Sequence, residues 1–147
     1  MKLRDAELWI AKHTPEITRE VGHKKWAVCG SIRRKKAEVG DIDIVSLEPD
    51  KRRMKKGIFS NLMKFQIWYG QDMHDVLALI LHKTGSAEFN IEMASKAKKK
   101  NLFLNAYGLH ERIDNRPGKR ILYNEREIVQ FLQGYWIPPE ARGGWTR

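Results

Sequence analysis

Apolar positions recur at helical spacing from the start of the chain. Leu3, Ala6 and Ile10 share a face, Leu8 and Trp9 add apolar surface, and the pattern predicts helix over residues 3–21. Thr14-Pro15-Glu16 predicts a restart or kink within it, because Thr caps a helix and Pro fits its first turn. Short strands are predicted at residues 25–29, 42–47 and 64–69, with Gly30-Ser31 turning the chain into a basic helical turn and residues 51–57 read as a basic connection. Residues 76–81 are continuously apolar and predict a helix, which Thr84-Gly85-Ser86 interrupts. Ser86 can cap a second helix running to about Lys100, with Phe89, Met93 and Ala97 at four-residue spacing and lysines at the end that suits the helix dipole. Short strands follow at residues 102–104, 108–110 and 120–122. Asn124 with Glu127 forms an Asn version of the capping box and opens a helix to about Leu132, and Ile137-Pro138-Pro139 ends regular structure. The change of character near residues 70–75 predicts an α+β fold in two lobes, strand-rich over residues 1–72 and helix-rich over residues 73–147.

Composition narrows the classes. No apolar run reaches membrane-spanning length, and Met1-Lys2-Leu3-Arg4-Asp5 lacks the apolar core of a signal peptide. The expectation is a cytoplasmic or nucleoid-associated protein with no membrane partner. The single Cys29 excludes an internal disulfide framework and a zinc site built from several cysteines. A net charge of +10 points to a polyanion partner, because each phosphate contact releases counterions. The basic residues cluster at positions 33–36, 51–56 and 96–100, which favours phosphate contact, Lys98, Lys99 and Lys100 included.

Chemistry concentrates between Gly30 and Asp43. Asp41 and Asp43 lie two apart in a strand-prone run, so both side chains point to one sheet face. Two carboxylates so held can bind Mg²⁺, which prefers oxygen ligands and shares them with substrate phosphates. Gly30 lets the backbone approach a phosphate closely, the Ser31 hydroxyl can donate to it, and Arg34 can neutralise charge on departing phosphates. An acidic turn beside a solvated basic face is the plainer reading of each part alone. The spacing from Gly30-Ser31 to Asp41 is what makes the combination specific.

The segment GSIRRKKAEVGDIDIV resembles the nucleotide-binding signature of the X-family DNA polymerases, the group of DNA polymerase beta. Thr84-Gly85-Ser86 with Phe89-Asn90 is similar to that family's thumb motif, Leu104-Asn105-Ala106-Tyr107-Gly108-Leu109 to its L-N-E-Y-G-L segment, and Ile137-Pro138-Pro139-Glu140 to its closing I-P-P-E. The resemblance implies a nucleotidyltransferase palm with a mixed sheet, followed by a small helix-rich thumb. It implies that Asp41 and Asp43 bind two divalent ions, Mg²⁺ or Mn²⁺. Ser31 and Arg34 would hold the phosphates of the incoming dNTP, and Gly30 and Gly40 would line the nucleotide or primer contact. Thr84, Gly85 and Ser86 would pass beside the sugar with Gly85–Ser86 cis, and Asn90 would reach the minor-groove edge of the new pair. Asn105 and Tyr107 would contact DNA, and Lys83, which departs from the family there, is expected to touch DNA phosphate instead. The chain has no room for the family's lyase and fingers domains, so the likeness is to a minimal palm-plus-thumb member, similar in plan to the smallest viral ones and expected to act as a monomer.

Three departures stand out. His82 and Lys83 occupy the place of the family's aromatic pair before T-G-S, which puts sugar discrimination in doubt, and Ala94 stands where an Arg is common. The family's third catalytic carboxylate has no counterpart: strict spacing selects Ile67 and the local pattern selects Gln66, neither of them charged. Asp72 and Asp75 read as loop and helix-cap residues. Two functions follow from this. One is a template-directed polymerase acting on gapped or nicked primer-template DNA, weakened at Gln66. The other is a catalytically impaired relative that binds DNA and nucleotide. Transfer to an RNA or protein acceptor ranks below both, because the thumb motifs resemble a duplex-reading lobe.

Overall fold

The structure, a computed structural model, describes residues 1–48 and 53–142. Lys51 and Arg52 of the second basic cluster, and Trp145, lie outside the described residues. Two short helices come first, α1 (Leu3–Lys12) and α2 (Thr14–Val21), broken where Pro15 enters the first turn of the second. A four-stranded sheet follows, built from β1 (Trp26–Val28), β2 (Ile42–Leu47), β3 (Met54–Ile58) and β4 (Lys64–Gly70) in the order β1-β2-β4-β3. It is mixed, since β2 runs parallel to β4 while β1 and β3 are antiparallel to their neighbours. A single turn of helix, α3 (Gly30–Arg33), leaves β1.

Residues 51–57 were expected as a connection, yet Met54 to Ile58 form the edge strand β3. Its two lysines and Gly57 obscure any apolar alternation, which is how an exposed edge avoids pairing with other chains. Gly57 is required there because a Cβ would meet the Phe65 ring.

The central strands are covered on both faces. Ile42 and Ile44 of β2, with Phe65, Ile67 and Tyr69 of β4, pack on Ala6, Ile17 and Val21 of the first two helices. The opposite face presents Val45 and Trp68 to α4 (Met73–Thr84), through Val76 and Leu79. Asp72 caps α4 by accepting from the Asp75 amide, and Asp75 pairs with Arg120 at 2.9 Å. Both acids are therefore structural, as their positions suggested.

The second half holds α5 (Ala87–Lys99), capped by Ser86, and α6 (Glu125–Gln133), capped by Asn124. They pack against an antiparallel sheet of β5 (Leu102–Asn105), β6 (Gly108–Ile113) and β7 (Arg116–Leu122). The last two strands are longer than their sequence suggested. Asp114 and Asn115 both take left-handed φ values, 52° and 61°, so they turn a tight hairpin where the sequence reads as a gap. The second core joins Leu81 of α4 to Phe89, Met93 and Ala97 of α5 and to Ile128, Val129 and Leu132 of α6. One helix thus serves both cores.

Candidate functional site

The site lies where α4 stops covering the sheet. On that sheet face Val45 and Trp68 are packed under the helix, while Asp43 and Gln66, two residues back along each strand, lie in an open cleft. Gly30, Ser31, Arg34, Gly40 and Asp41 line the cleft from one side, and His82, Lys83, Gly85 and Asn90 line it from the other. Asp41 is exposed and sits one residue ahead of β2, and Asp43 is half-buried within it.

Strand register separates the two uncharged neighbours, Gln66 and Ile67. Gln66 is the direct partner of Asp43 across the parallel pair, and Ile67 is fully buried in the core. Gln66 Oε1 accepts from Trp68 Nε1 at 3.3 Å. Among the described residues no cluster of three His, Cys, Asp or Glu side chains could hold a metal ion.

Burial, then the neighbouring Asp41, pushes the Asp43 carboxyl up to about 6, and Lys83 and Arg34 pull it back down. Arg34 is lowered by burial and raised in part by Asp43. Its Nη1 donates to the Thr84 carbonyl, and its Nε is buried without a partner among the described residues. Lys83 is likewise lowered by burial and partly restored by Asp43, and its Nζ lies 3.3 Å from the centroid of the Trp68 ring. His82 is lowered by burial and by Lys83.

Gly30 holds φ at +65°, and a Cβ there would collide with the Asp43 carboxylate. The Cys29 amide donates to the Asp43 carbonyl at 2.7 Å, so the turn and the carboxylate are built against each other. Gly30→Ala is expected to push the Asp43 side chain out of place, which a crystal structure of the variant would check.

Not every predicted residue reaches the cleft. The Gly85–Ser86 peptide is cis, and Gly85 lines the cleft, but the side chains of Thr84 and Ser86 turn inward. Thr84 Oγ1 donates to the Ile80 carbonyl at 2.6 Å, and Ser86 Oγ donates to the Arg142 carbonyl at 3.1 Å. Asn90 lines the cleft with its amide nitrogen donating to the His82 carbonyl at 2.8 Å. Asn105 borders a neighbouring apolar pocket that shares His82 and Asn90 with the cleft, and its Oδ1 accepts from the Tyr107 amide. The Tyr107 hydroxyl accepts from Arg53 at 3.2 Å. Lys98, Lys99 and Lys100 are exposed at the end of α5, away from the carboxylates.

The first basic cluster splits. Arg34 faces the cleft, whereas Arg33 makes a bidentate pair with Glu125 at 2.6 and 2.7 Å and donates to Thr84 Oγ1 at 2.8 Å. Glu125 also takes Arg142 Nη1 at 2.8 Å. This junction, absent from the sequence reading, ties α3 to α6 and to Arg142 just behind the cleft. Its signal was faint, since Glu125 lies 92 residues from Arg33.

Comparison with known proteins agrees with this geometry. The DNA polymerase beta thumb family matches residues 79–143. The repair DNA polymerase X of African swine fever virus, isolate Pig/Kenya, is 28% identical over 138 residues, covering 77% of this chain and 78% of that protein. The same protein of a warthog isolate from Namibia is 28% identical over 144 residues, covering 81% and 82%. Leishmania infantum polymerase beta, solved as a ternary P/T complex, has the same fold, with a TM-score of 0.73 over 97% of this chain and 76% of that one at 20% identity.

Proposed function

This chain is a relative of the family X DNA polymerases, and on that premise we propose that it is a template-directed DNA nucleotidyltransferase. It adds a dNTP to a primer 3′-hydroxyl at gaps or nicks. The observation that carries the reading is the convergence in one cleft of Asp41, Asp43, Ser31, Arg34 and Asn90 from three separate stretches of chain.

The paired carboxylates suit a divalent ion. Asp43 is half-buried beside Asp41 and held up by that neighbour, so a cation between them relieves both burial and repulsion. Asp41 and Asp43 would hold Mg²⁺ or Mn²⁺. Bound there, such ions neutralise phosphate charge and ease loss of the hydroxyl proton. Ser31 and the Gly30 backbone cradle the triphosphate, Arg34 meets charge developing on the leaving pyrophosphate, and Asn90, fixed by the His82 carbonyl, faces the new base pair. Exposed lysines along α5 attract the DNA backbone. The protein would act as a monomer, with residues 1–72 as palm and 73–147 as thumb. The viral relatives support a virus-encoded origin, and no described helix is long and apolar enough to cross a membrane.

Gln66 favours a second reading, a relative that binds DNA and nucleotide but transfers poorly, because the partner of Asp43 carries no charge. Primer extension on a one-nucleotide gap, in Mg²⁺ and in Mn²⁺, separates the two. Extension by the natural chain that Asp41→Asn removes supports the polymerase. A silent natural chain with a Gln66→Asp variant that extends supports the impaired relative, and silence from both refutes the polymerase reading.

A further inference from the structure

Lys83 sits on the last turn of α4, over the part of the sheet that carries the chemistry. Its ammonium rests 3.3 Å from the centroid of the Trp68 ring. Trp68 Nε1 donates to Gln66 Oε1, and Gln66 stands across from Asp43. Ammonium, indole, amide and carboxylate therefore form one continuous patch across β4 and β2. Arg34 gives an N–H to the Thr84 carbonyl, but Lys83 Nζ has no hydrogen-bond acceptor among the described residues. The indole face supplies attraction and no lone pair, so the three ammonium protons stay available to a ligand in the cleft.

The charges of the patch point the same way. A cation bound on the Gln66 side would meet a neutral oxygen already engaged by Trp68, with a fixed positive charge close by. Repulsion between a divalent ion there and an ammonium lining the same cleft is strong where the cleft is partly dry. The same ammonium is well placed to do what a cation there would do. We propose that Lys83 is a catalytic residue of the transfer step: its ammonium donates to the non-bridging oxygens of the phosphate being transferred, so that the cleft works with a single divalent ion at Asp41 and Asp43.

The proposal rests on the polymerase reading. In the step, the primer 3′-oxygen bonds to the α-phosphorus, and the bond from that phosphorus to the bridging oxygen breaks. Its electron pair leaves with pyrophosphate, and the hydroxyl proton passes to water. Lys83 stays protonated throughout and stabilises the added negative charge. Trp68 positions it.

The test compares the natural chain with Lys83→Met, Lys83→Arg and the double variant Gln66→Asp/Lys83→Met. Single-turnover insertion at a one-nucleotide gap is measured beside DNA affinity, thermal midpoint and the count of Mn²⁺ ions by electron paramagnetic resonance. The count uses complexes with dideoxy-terminated gapped DNA and a non-hydrolysable dNTP. Lys83→Met is expected to slow insertion on the order of 100-fold, the loss typical of removing one such donor, with DNA affinity and midpoint unchanged and partial recovery in Lys83→Arg. One Mn²⁺ is expected in the natural complex and two in the double variant. Insertion by Lys83→Met within about threefold of the natural rate, or two ions in the natural complex, overturns the proposal. A natural chain and a Gln66→Asp chain that are both silent overturn the polymerase reading, and this proposal with it. An active natural chain matched by Lys83→Met overturns this proposal alone.

Discussion

Asp43→Asn is expected to abolish primer extension and, at the same time, to make the metal-free protein more stable above pH 7. The two effects share one cause. Burial and the adjacent Asp41 hold the Asp43 carboxyl at about 6, so the folded state binds its proton more tightly than the unfolded chain does. Stability from that proton is complete below about pH 4 and is lost as pH rises through about 6. Above that range the ionised Asp43 destabilises the fold on the order of 2 to 3 kcal/mol. Asparagine carries no charge to bury, so it removes the penalty together with the carboxylate proposed to hold the ion. Extension should fall at least about 1,000-fold, equivalent to about 4 kcal/mol in the barrier. Melting curves at pH 4 and pH 8, with and without Mg²⁺, test the stability half. The variant should gain only at pH 8, and Mg²⁺ should raise the midpoint of the natural chain alone. A variant less stable than the natural chain at pH 8 would contradict the account.

Glu125→Ala is expected to be strongly destabilising. Glu125 forms ion pairs with both Arg33 and Arg142, and the Arg142 side chain is 0% exposed. Burial pushes the Glu125 carboxyl up, and the two guanidiniums more than offset this, holding it below the usual range. Arg142 also donates to the Ile137 carbonyl through Nε and Nη2 and lies over the rings of Phe89 and Trp136. Removing the carboxylate leaves the buried Arg142 guanidinium and the half-buried Arg33 without a counter-charge in contact, which costs about 3 to 5 kcal/mol. Urea denaturation should show that loss as a lower midpoint at unchanged slope. Replacing the trio together, as Arg33→Met, Glu125→Leu and Arg142→Met, should recover most of it, because the penalty belongs to the orphaned charge. Extension should drop in Glu125→Ala even at temperatures where it stays folded, since Arg33 also fixes Thr84 beside the cleft.

The sequence revealed more of the local structure than of the long-range pairing. Ser86, Asn124 and Asp72 cap their helices through contacts three residues away, and such contacts can be read from spacing. The carboxylate pair and the Gly30-Ser31 turn were legible for the same reason, whereas the missing third carboxylate was an expectation from the family resemblance alone. Gln66 and Ile67 could be told apart only by register, because one is in the cleft and the other in the core although they are adjacent. Arg33 and Arg34 pose the same difficulty: the same residue type twice, separated in role by the direction each leaves α3. The edge strand β3 escaped because lysines and a glycine hide its alternation. The Lys83–Trp68 contact joins residues from a helix and a strand that no local pattern links.

The shared helix α4 has a geometric consequence. Val76 and Leu79 enter one core, Leu81 enters the other, and Lys83 reaches the cleft, all within about two turns. A single residue inserted after Leu79 would rotate everything beyond it by about 100°. Leu81 would leave its core in the same motion that lifted the Lys83 ammonium from the indole. The helix therefore works as a phase gauge between the two cores: the number of residues from Leu79 to Lys83 sets how one core is turned against the other, and the cleft is in register only at that count.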